Sequence, residues 1–485
     1  MSTTTSAQLA AAEAPLQQHS AVLRKELGLR DLIFAQIVIV LIPDYFGTAA
    51  KAGASHVAFW FLGIALFFIP LTMVVVHLNR LMPLEGGLYE WSRLAFSDRI
   101  GFLTAWNVWL FNAFYTGCVG LLTVTFVSYA VGPQMVWIAD NKGIVIVASI
   151  ALIATLLLLA HLGLGVGKWV ANVGSAMTMF AIVALISMPL IHFLHGTHPD
   201  YHPLRLVLPS LNLSNLSVFS KMTFGALTSF EFVAIFAGEC RNPGRNIARA
   251  SFIAAPILAF LYIFGTASIL AYIPPEAVDT IAPIPQALSK GFHGMPLLSL
   301  LAPLSIGLLL GNYIATYSLQ VSANARLPMV AGWDHLLPAW FTRLHPRFRT
   351  PLNSIFFLGG VALAASFAAL IGVGMQETFQ LIQNWAFTFY GVAYLSLFAI
   401  PLFARKDRGI RPALWLRLAA ASGFLFTLLF VLLSVFPIID VASRAAYAVK
   451  MGSVVLGANL FGLLIYRLGS RAAARATLEP PSRTS

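Results

Sequence analysis

The chain has 485 residues, 59% hydrophobic and 10% charged, against roughly 25% charged in an ordinary soluble domain, which excludes a soluble globular protein. A formal net charge of +12 would suit nucleic acid, but the basic residues lie in short segments between long apolar runs, as they do in membrane proteins. The chain carries no Gly-x-x-x-x-Gly-Lys-Ser/Thr phosphate loop and no His-Glu-x-x-His or Gly-x-Ser-x-Gly arrangement, so neither a nucleotide-driven pump nor a membrane-embedded hydrolase is indicated, and no cofactor is implied.

Residues 1–22 are rich in Ala, Thr, Ser and Gln without a charged-then-apolar signal pattern, and read as a disordered tail. Twelve apolar runs follow, at 33–50, 56–76, 101–131, 144–160, 169–193, 217–238, 251–273, 297–325, 352–371, 379–403, 414–437 and 448–467. Most approach the roughly 20 residues that a helix needs to cross a hydrocarbon core about 30 Å thick. The expected fold is therefore an all-α integral membrane protein of 12 transmembrane helices.

Two runs carry a carboxylate. The first reads Ile42-Pro43-Asp44-Tyr45-Phe46-Gly47, and the sixth reads Gly225-Ala226-Leu227-Thr228-Ser229-Phe230-Glu231. A carboxylate at membrane depth costs about 2.5 to 3.5 kcal/mol on insertion scales, so it marks a cavity, a partner or a proton site, or else a neutral acid tying helices together. Pro43 interrupts the first run by removing an amide donor, and Gly225, Thr228 and Ser229 supply a weaker interruption in the sixth. Phe224 and Phe230 stand beside the second break as gate or as packing. Pro70, Pro256 and Pro303 predict kinks.

In the third run Asn112 and Tyr115 share a helix face at i and i+3 and either border a site or pack helices. The same run carries Trp106, Asn107 and Trp109, while Tyr317, Ser318, Asn384 and Trp385 are weaker candidates. His192, His195, His198 and His202 follow the fifth run with no cysteine and only Asp200 nearby. They read as a solvated outer loop rather than a metal centre. Cys118, within a helix, and Cys240, in a loop, lie at different membrane levels, so no disulfide is expected.

With both termini cytoplasmic, only seven of thirty Lys and Arg fall on the outer side or inside helices: Lys51, Lys142, Arg205, Lys221, Lys290, Arg444 and Lys450. Glu85, Glu90 and Glu239 are expected to pair with inner-face arginines. An acid-bearing, interrupted helix opens each set of five, which suggests two inverted repeats, at 23–195 and 217–410, joined by an outer loop at 196–216. Two further helices at 411–468 and a cytoplasmic tail at 469–485 complete the chain.

The connecting segments carry a resemblance. Pro83-Leu84-Glu85-Gly86-Gly87-Leu88-Tyr89-Glu90-Trp91 is similar to a Pro-x-Gly-Gly-x-Tyr segment, and Glu231 to Pro243 and Arg326 to Pro338 match the sixth-helix pattern and the eighth-helix exit of the same group. Over about residues 30–410 the chain resembles the amino acid, polyamine and organocation superfamily of permeases. The resemblance implies a leucine-transporter-like 5+5 inverted repeat and a secondary active transporter of the cell membrane working by alternating access. It also implies an amino acid or related amine bound between broken helices one and six. The expected partners are that small molecule, a coupling ion that is a proton, and membrane lipid, with no nucleic acid. Polyamine or organocation exchange and a non-translocating nutrient receptor are the alternatives.

Mapped onto this chain, the site would involve Ile42, Pro43, Asp44, Tyr45, Phe46 and Gly47 in the first break, and Thr228, Ser229 and Phe230 in the second. Glu231 matches the sixth-helix glutamate, and because burial disfavours a charged carboxyl it is the first choice for ion coupling. Two departures stand out. The family's Gly-Ser-Gly-Ile-Phe turn, whose amides receive a substrate carboxylate, is replaced by Ile42 to Phe46. An ionised Asp44 would repel a carboxylate 4 Å away by about 4 kcal/mol at an effective dielectric near 20, so either Asp44 is protonated, or it faces elsewhere, or the substrate presents a cationic amine to it. In the fifth helix Thr178 stands where many proton-coupled relatives have lysine, so a hydroxyl replaces a cation as the coupling position.

Overall fold

The computed structural model describes residues 28–81, 87–162, 168–196, 204, 206–231, 243–293, 298–330, 336–404 and 412–478. Regular structure among them is helical throughout. The first crossing is split into α1, Leu29–Val40, and the six-residue α2, Tyr45–Ala50. A single line of helix then runs from α3, His56–Gly63, through a π-helical turn at Ile64–Phe68 into α4, Ile69–Leu81, with Pro70 directly after the turn. The short α5, Gly87–Ala95, leads into α6, Asp98–Thr116, and α7, Val119–Val131, with Cys118 capping α7 at the turn between them rather than inside a helix.

Next come α8, Lys142–His161, α9, Lys168–Leu194, and α10, Leu213–Leu227. They are followed by α11, Pro243–Leu270, and a short α12, Pro283–Gly291. The last five are α13, Leu301–Val330, α14, Leu352–Leu370, α15, Met375–Phe403, α16, Leu414–Leu433, and α17, Arg444–Leu478. Pro256 lies inside α11, whereas Pro303 falls in the first turn of α13, where a missing amide costs nothing.

Nine helices among the described residues are long and apolar enough to cross a bilayer. Three of the twelve expected crossings fall outside that set. Two are the interrupted ones, and the third is the run at 297–325, where α13 carries Asn312, Tyr313, Tyr317, Ser318 and Asn324 along its length. The α6–α7 line has 83% of its most apolar stretch buried and α17 has 11%, so α6–α7 is axial and α17 peripheral. The α6 helix packs mainly against α15, α9 against α13, and α1 against α11. The six residues of α2 are all buried, between α10 and α11.

The expected ion pairs of the basic connections are partly visible. Arg93 lies 3.3 Å from Glu90 and 3.5 Å from Asp98. Glu85, Glu239, Pro83, Cys240 and the segments at 232–242 and 331–335 lie outside the described residues.

Candidate substrate site at two helix breaks

Asp44 is 2% exposed and occupies the gap between α1 and α2. The helix stops at Val40, and Leu41 is extended, because Pro43 offers no amide to continue the ladder and its ring excludes a preceding helical turn. The amides of Tyr45, Phe46 and Gly47 turn back to the carbonyls of Ile42, Pro43 and Asp44, each at 3.2 Å. Three amides that could greet a carboxylate at this break are thus already engaged.

Two phenols hold the Asp44 side chain. Tyr115 of α6 donates to Oδ2 at 3.2 Å, and Tyr313 of α13 donates to Oδ1. A carboxylate accepts about four hydrogen bonds, so capacity remains for an incoming ammonium group. Tyr115 also packs 5.4 Å from the Tyr317 ring, and the electron-rich faces of such rings attract cations.

The second break differs in cause. Helix α10 ends at Leu227, Thr228 is extended, and Ser229 adopts φ +72°, a left-handed conformation that costs a non-glycine residue about 1 to 2 kcal/mol. Its amide donates to the Tyr394 hydroxyl at 2.8 Å. Tyr394 donates in turn to Glu231 Oε2, and Tyr390, one turn earlier on α15, donates to Oε1. Gly225 is not part of this break: it lies inside α10, and the Tyr45 ring occupies the space where its side chain would be.

The two breaks are tied together. The Tyr262 hydroxyl of α11 receives the Ile42 amide at 3.0 Å and lies 3.0 Å from the Val40 carbonyl and 3.1 Å from the Ala226 carbonyl. A ring path joins the two acids as well: Tyr115 stacks on Phe111 at 5.9 Å, and Phe111 stacks on Tyr390 at 4.4 Å.

Other predicted residues lie elsewhere or do other work. Asn112 donates to the Val108 carbonyl of its own helix at 3.0 Å, so of the Asn112–Tyr115 pair only Tyr115 meets Asp44. Thr178 accepts from Asn312 of α13 at 2.7 Å, next in sequence to the tyrosine on Asp44 and not at Glu231. Phe46 packs against Tyr262 at 5.1 Å, and Phe230 meets Phe68 edge-on at 5.9 Å. The closely packed Gly47 abuts Pro283 of α12. Phe224 stacks on Phe430 at 4.2 Å, which makes it packing against α16 rather than a gate. Asn107 bonds Asn459 at 2.8 Å, Trp106 bonds the Ala458 carbonyl at 3.0 Å, and Asn384 bonds Tyr447 at 2.6 Å, all structural ties to α17.

His192 is not simply solvated: its Nε2 lies 2.6 Å from the Gly291 carbonyl. His195 bonds the Ile191 carbonyl at 2.8 Å, and His198 and His202 lie outside the described residues. Sequence reasoning missed Tyr262, Tyr313, Tyr390 and Tyr394. The available signal was tyrosine inside apolar runs at i, i+4 spacing, seen in both Tyr313–Tyr317 and Tyr390–Tyr394.

Apolar helices long enough to cross a bilayer, broken around two buried acids, make this a multi-pass membrane protein, and its relatives make it a transporter rather than an enzyme. A family model described as amino acid permease matches residues 27–457, and the chain belongs to that family. It is 22% identical to an aspartate/glutamate permease, AcaP, of Lactococcus lactis, over 88% of this chain and 92% of that one. It is 25% identical to a probable agmatine/putrescine antiporter, AguD, of the same species, over 60% and 62%. It is also 25% identical to a low-affinity putrescine importer, PlaP, of Escherichia coli, over 78% and 82%.

Proposed function

We propose that this permease is a secondary active carrier for an amino acid or related amine, and that the group it recognises is the substrate's ammonium, received by Asp44. The observation that carries the reading is the first break itself. A buried carboxylate faces phenols where amides would face a carboxylate, and the amides of Tyr45, Phe46 and Gly47 are spent on the chain's own carbonyls. A substrate carboxylate set there would meet the charge of Asp44, whereas an ammonium would share its oxygens with Tyr115 and Tyr313. The names of two relatives, both concerned with putrescine, favour the organic-cation reading over a strict amino acid one.

In this reading the chain forms twelve crossings. Two inverted repeats, 23–195 and 217–410, rock about the site, helices at 411–468 are appended, and both termini are cytoplasmic. Glu231 takes up the coupling proton. Protonating it removes an acceptor from Tyr390 or Tyr394, and Tyr394 also receives the Ser229 amide, so proton uptake and the geometry of the second break are linked.

The test is thermal stabilisation of the purified protein by amino acids, their amides and their decarboxylated amines, since a ligand of the folded state raises its melting temperature. Amines and amides are expected to stabilise, and Asp44→Asn to abolish the effect. Stabilisation confined to compounds with a free carboxylate, retained in Asp44→Asn, rejects the assignment.

A further inference from the structure

A groove of about 260 Å³ lies between α4, α11 and α16, where α4 stops and α11 and α16 start, at the end of the bundle that carries the basic connections. All three helices are long and apolar enough to cross a bilayer. The wall from α4 is a single helical face. Ile69, Thr72, Met73, Val76, His77 and Arg80 follow one another at steps of three and four, the spacing that stacks side chains along one side of a helix. Opposite them α11 presents the small side chains of Ala248, Ser251 and Ala255, so the two helices do not close over each other.

The groove opens outward. Phe252, 64% exposed, and Trp415, 55% exposed, flank it; large side chains bared on the outside of a membrane helix meet lipid, and tryptophan favours the level of the headgroups. From Ile69 to Arg80 the wall runs about 16 Å at 1.5 Å per residue, close to half of a hydrocarbon core about 30 Å thick, which is one leaflet. Polarity is graded along that length: Phe68 and Ile69 stand at the deep end, His77 and Arg80 at the end toward the basic connections. Among the described residues that line the groove none is acidic. His77 Nε2 is also buried with no hydrogen-bond partner among the described residues, which costs free energy until a partner is supplied.

We propose that this groove binds one acidic phospholipid of the adjoining leaflet, with an acyl chain along Phe68, Met73, Val76 and Ala255 and the phosphate between His77 and Arg80. A guanidinium takes a phosphate through paired N–H donors, and basic pockets between transmembrane helices are where acidic headgroups seat. A turn of the imidazole toward the phosphate gives His77 Nε2 the partner it lacks. A zwitterionic lipid offers the same chain but brings its own cation to Arg80. The site is separate from Asp44 and independent of which substrate is carried. Its walls nevertheless reach both breaks: Ser251 receives Gln36 Nε2 of α1 at 3.1 Å, and Phe68 meets Phe230, the neighbour of Glu231. A lipid that fills the gap therefore braces the helices on which the breaks are built, and a ligand of the folded state raises its melting temperature.

The full chain in a neutral detergent would be melted across titrations of phosphatidylglycerol, of phosphatidylcholine, and of glycerol phosphate, which carries the charge without the chains. Phosphatidylglycerol is expected to raise the melting temperature by about 2 °C or more above phosphatidylcholine at the same mole fraction, and glycerol phosphate to leave it unchanged. Arg80→Gln should weaken the apparent affinity about fivefold, the contribution of one cation close to an acidic lipid. Ala255→Leu narrows the groove, leaves every charge in place, and should weaken it at least as much. Arg99→Gln, at an exposed arginine of α6 outside the groove, should change it by less than about twofold. If Arg99→Gln acts like Arg80→Gln while Ala255→Leu does nothing, the lipid is held by the charge of the whole face and the groove is not its site. Should Arg80→Gln fail to fold, Ala255→Leu against Arg99→Gln still decides. Equal stabilisation by the two lipids, or stabilisation by glycerol phosphate alone, overturns the acidic phospholipid as the occupant.

Discussion

Tyr262 performs three tasks with one hydroxyl. It satisfies the Ile42 amide at the first break and stands within hydrogen-bond distance of carbonyls at both breaks. Irregular backbone at membrane depth persists only where its polar groups are satisfied or line a cavity. Tyr262→Phe leaves the Ile42 amide without this partner and is expected to destabilise the fold by about 1 to 3 kcal/mol, seen as a lower melting temperature. An unchanged melting curve would mean that the break is held by other means.

Glu231 invites a different measurement, because its two phenol donors lose an acceptor when it is protonated or replaced by an amide. Glu231→Gln is expected to flatten the pH profile of uptake while the protein still folds. A profile that keeps its wild-type shape, whatever the rate, removes the coupling role.

At the scale of the elements, the two breaks come from different physics. The first has a local cause: Pro43 removes an amide donor and disfavours a helical turn before it, whereas Pro256 stays inside α11, so proline permits the break and packing fixes it. The second is tertiary, since nothing in Thr228-Ser229 forbids helix and the left-handed Ser229 is held by Tyr394 from another helix. Ser229→Gly relieves the steric cost and is expected to be neutral or mildly stabilising. Ser229→Val, branched at Cβ, should lose about 1 to 2 kcal/mol at the same position. If the two variants melt alike, the left-handed turn is not what the native fold contains.

Helix α15 is the element on which this depends. Tyr390 and Tyr394 sit one turn apart, and Tyr390 stacks on Phe111 of α6, so α6 and α15 meet where Glu231 is held. The i, i+4 spacing was readable beforehand. The neighbour those tyrosines face was not.

At the scale of the molecule, charge separates the two ends of the bundle. Arg80, Arg93, Arg249 and Arg326 lie toward one end, and Asp140, Glu276, Asp279, Glu377 and Asp440 toward the other. The proposed orientation puts the arginine-rich end in the cytoplasm. A protease-cleavable tag after residue 485 should therefore resist cleavage in right-side-out vesicles and be cut after permeabilisation. Cleavage in intact vesicles reverses the orientation.

The sequence by itself determined that this is a helical membrane protein, that carboxylates occur in two of its apolar runs, and that Pro43 weakens the helix in the first of them. Those conclusions follow from composition, run length and covalent geometry, which depend on no distant residue. Only the tertiary structure decided the partners. It placed Tyr313 and Tyr115 on Asp44 from two helices, Tyr390 and Tyr394 on Glu231 from a third, and gave Asn112 and Thr178 hydrogen-bond partners other than the acids. Periodicity assigns a side chain to a face of its own helix, but the neighbour that face meets is set by packing among distant segments, 269 residues apart for Asp44 and Tyr313, and spacing carries no record of it.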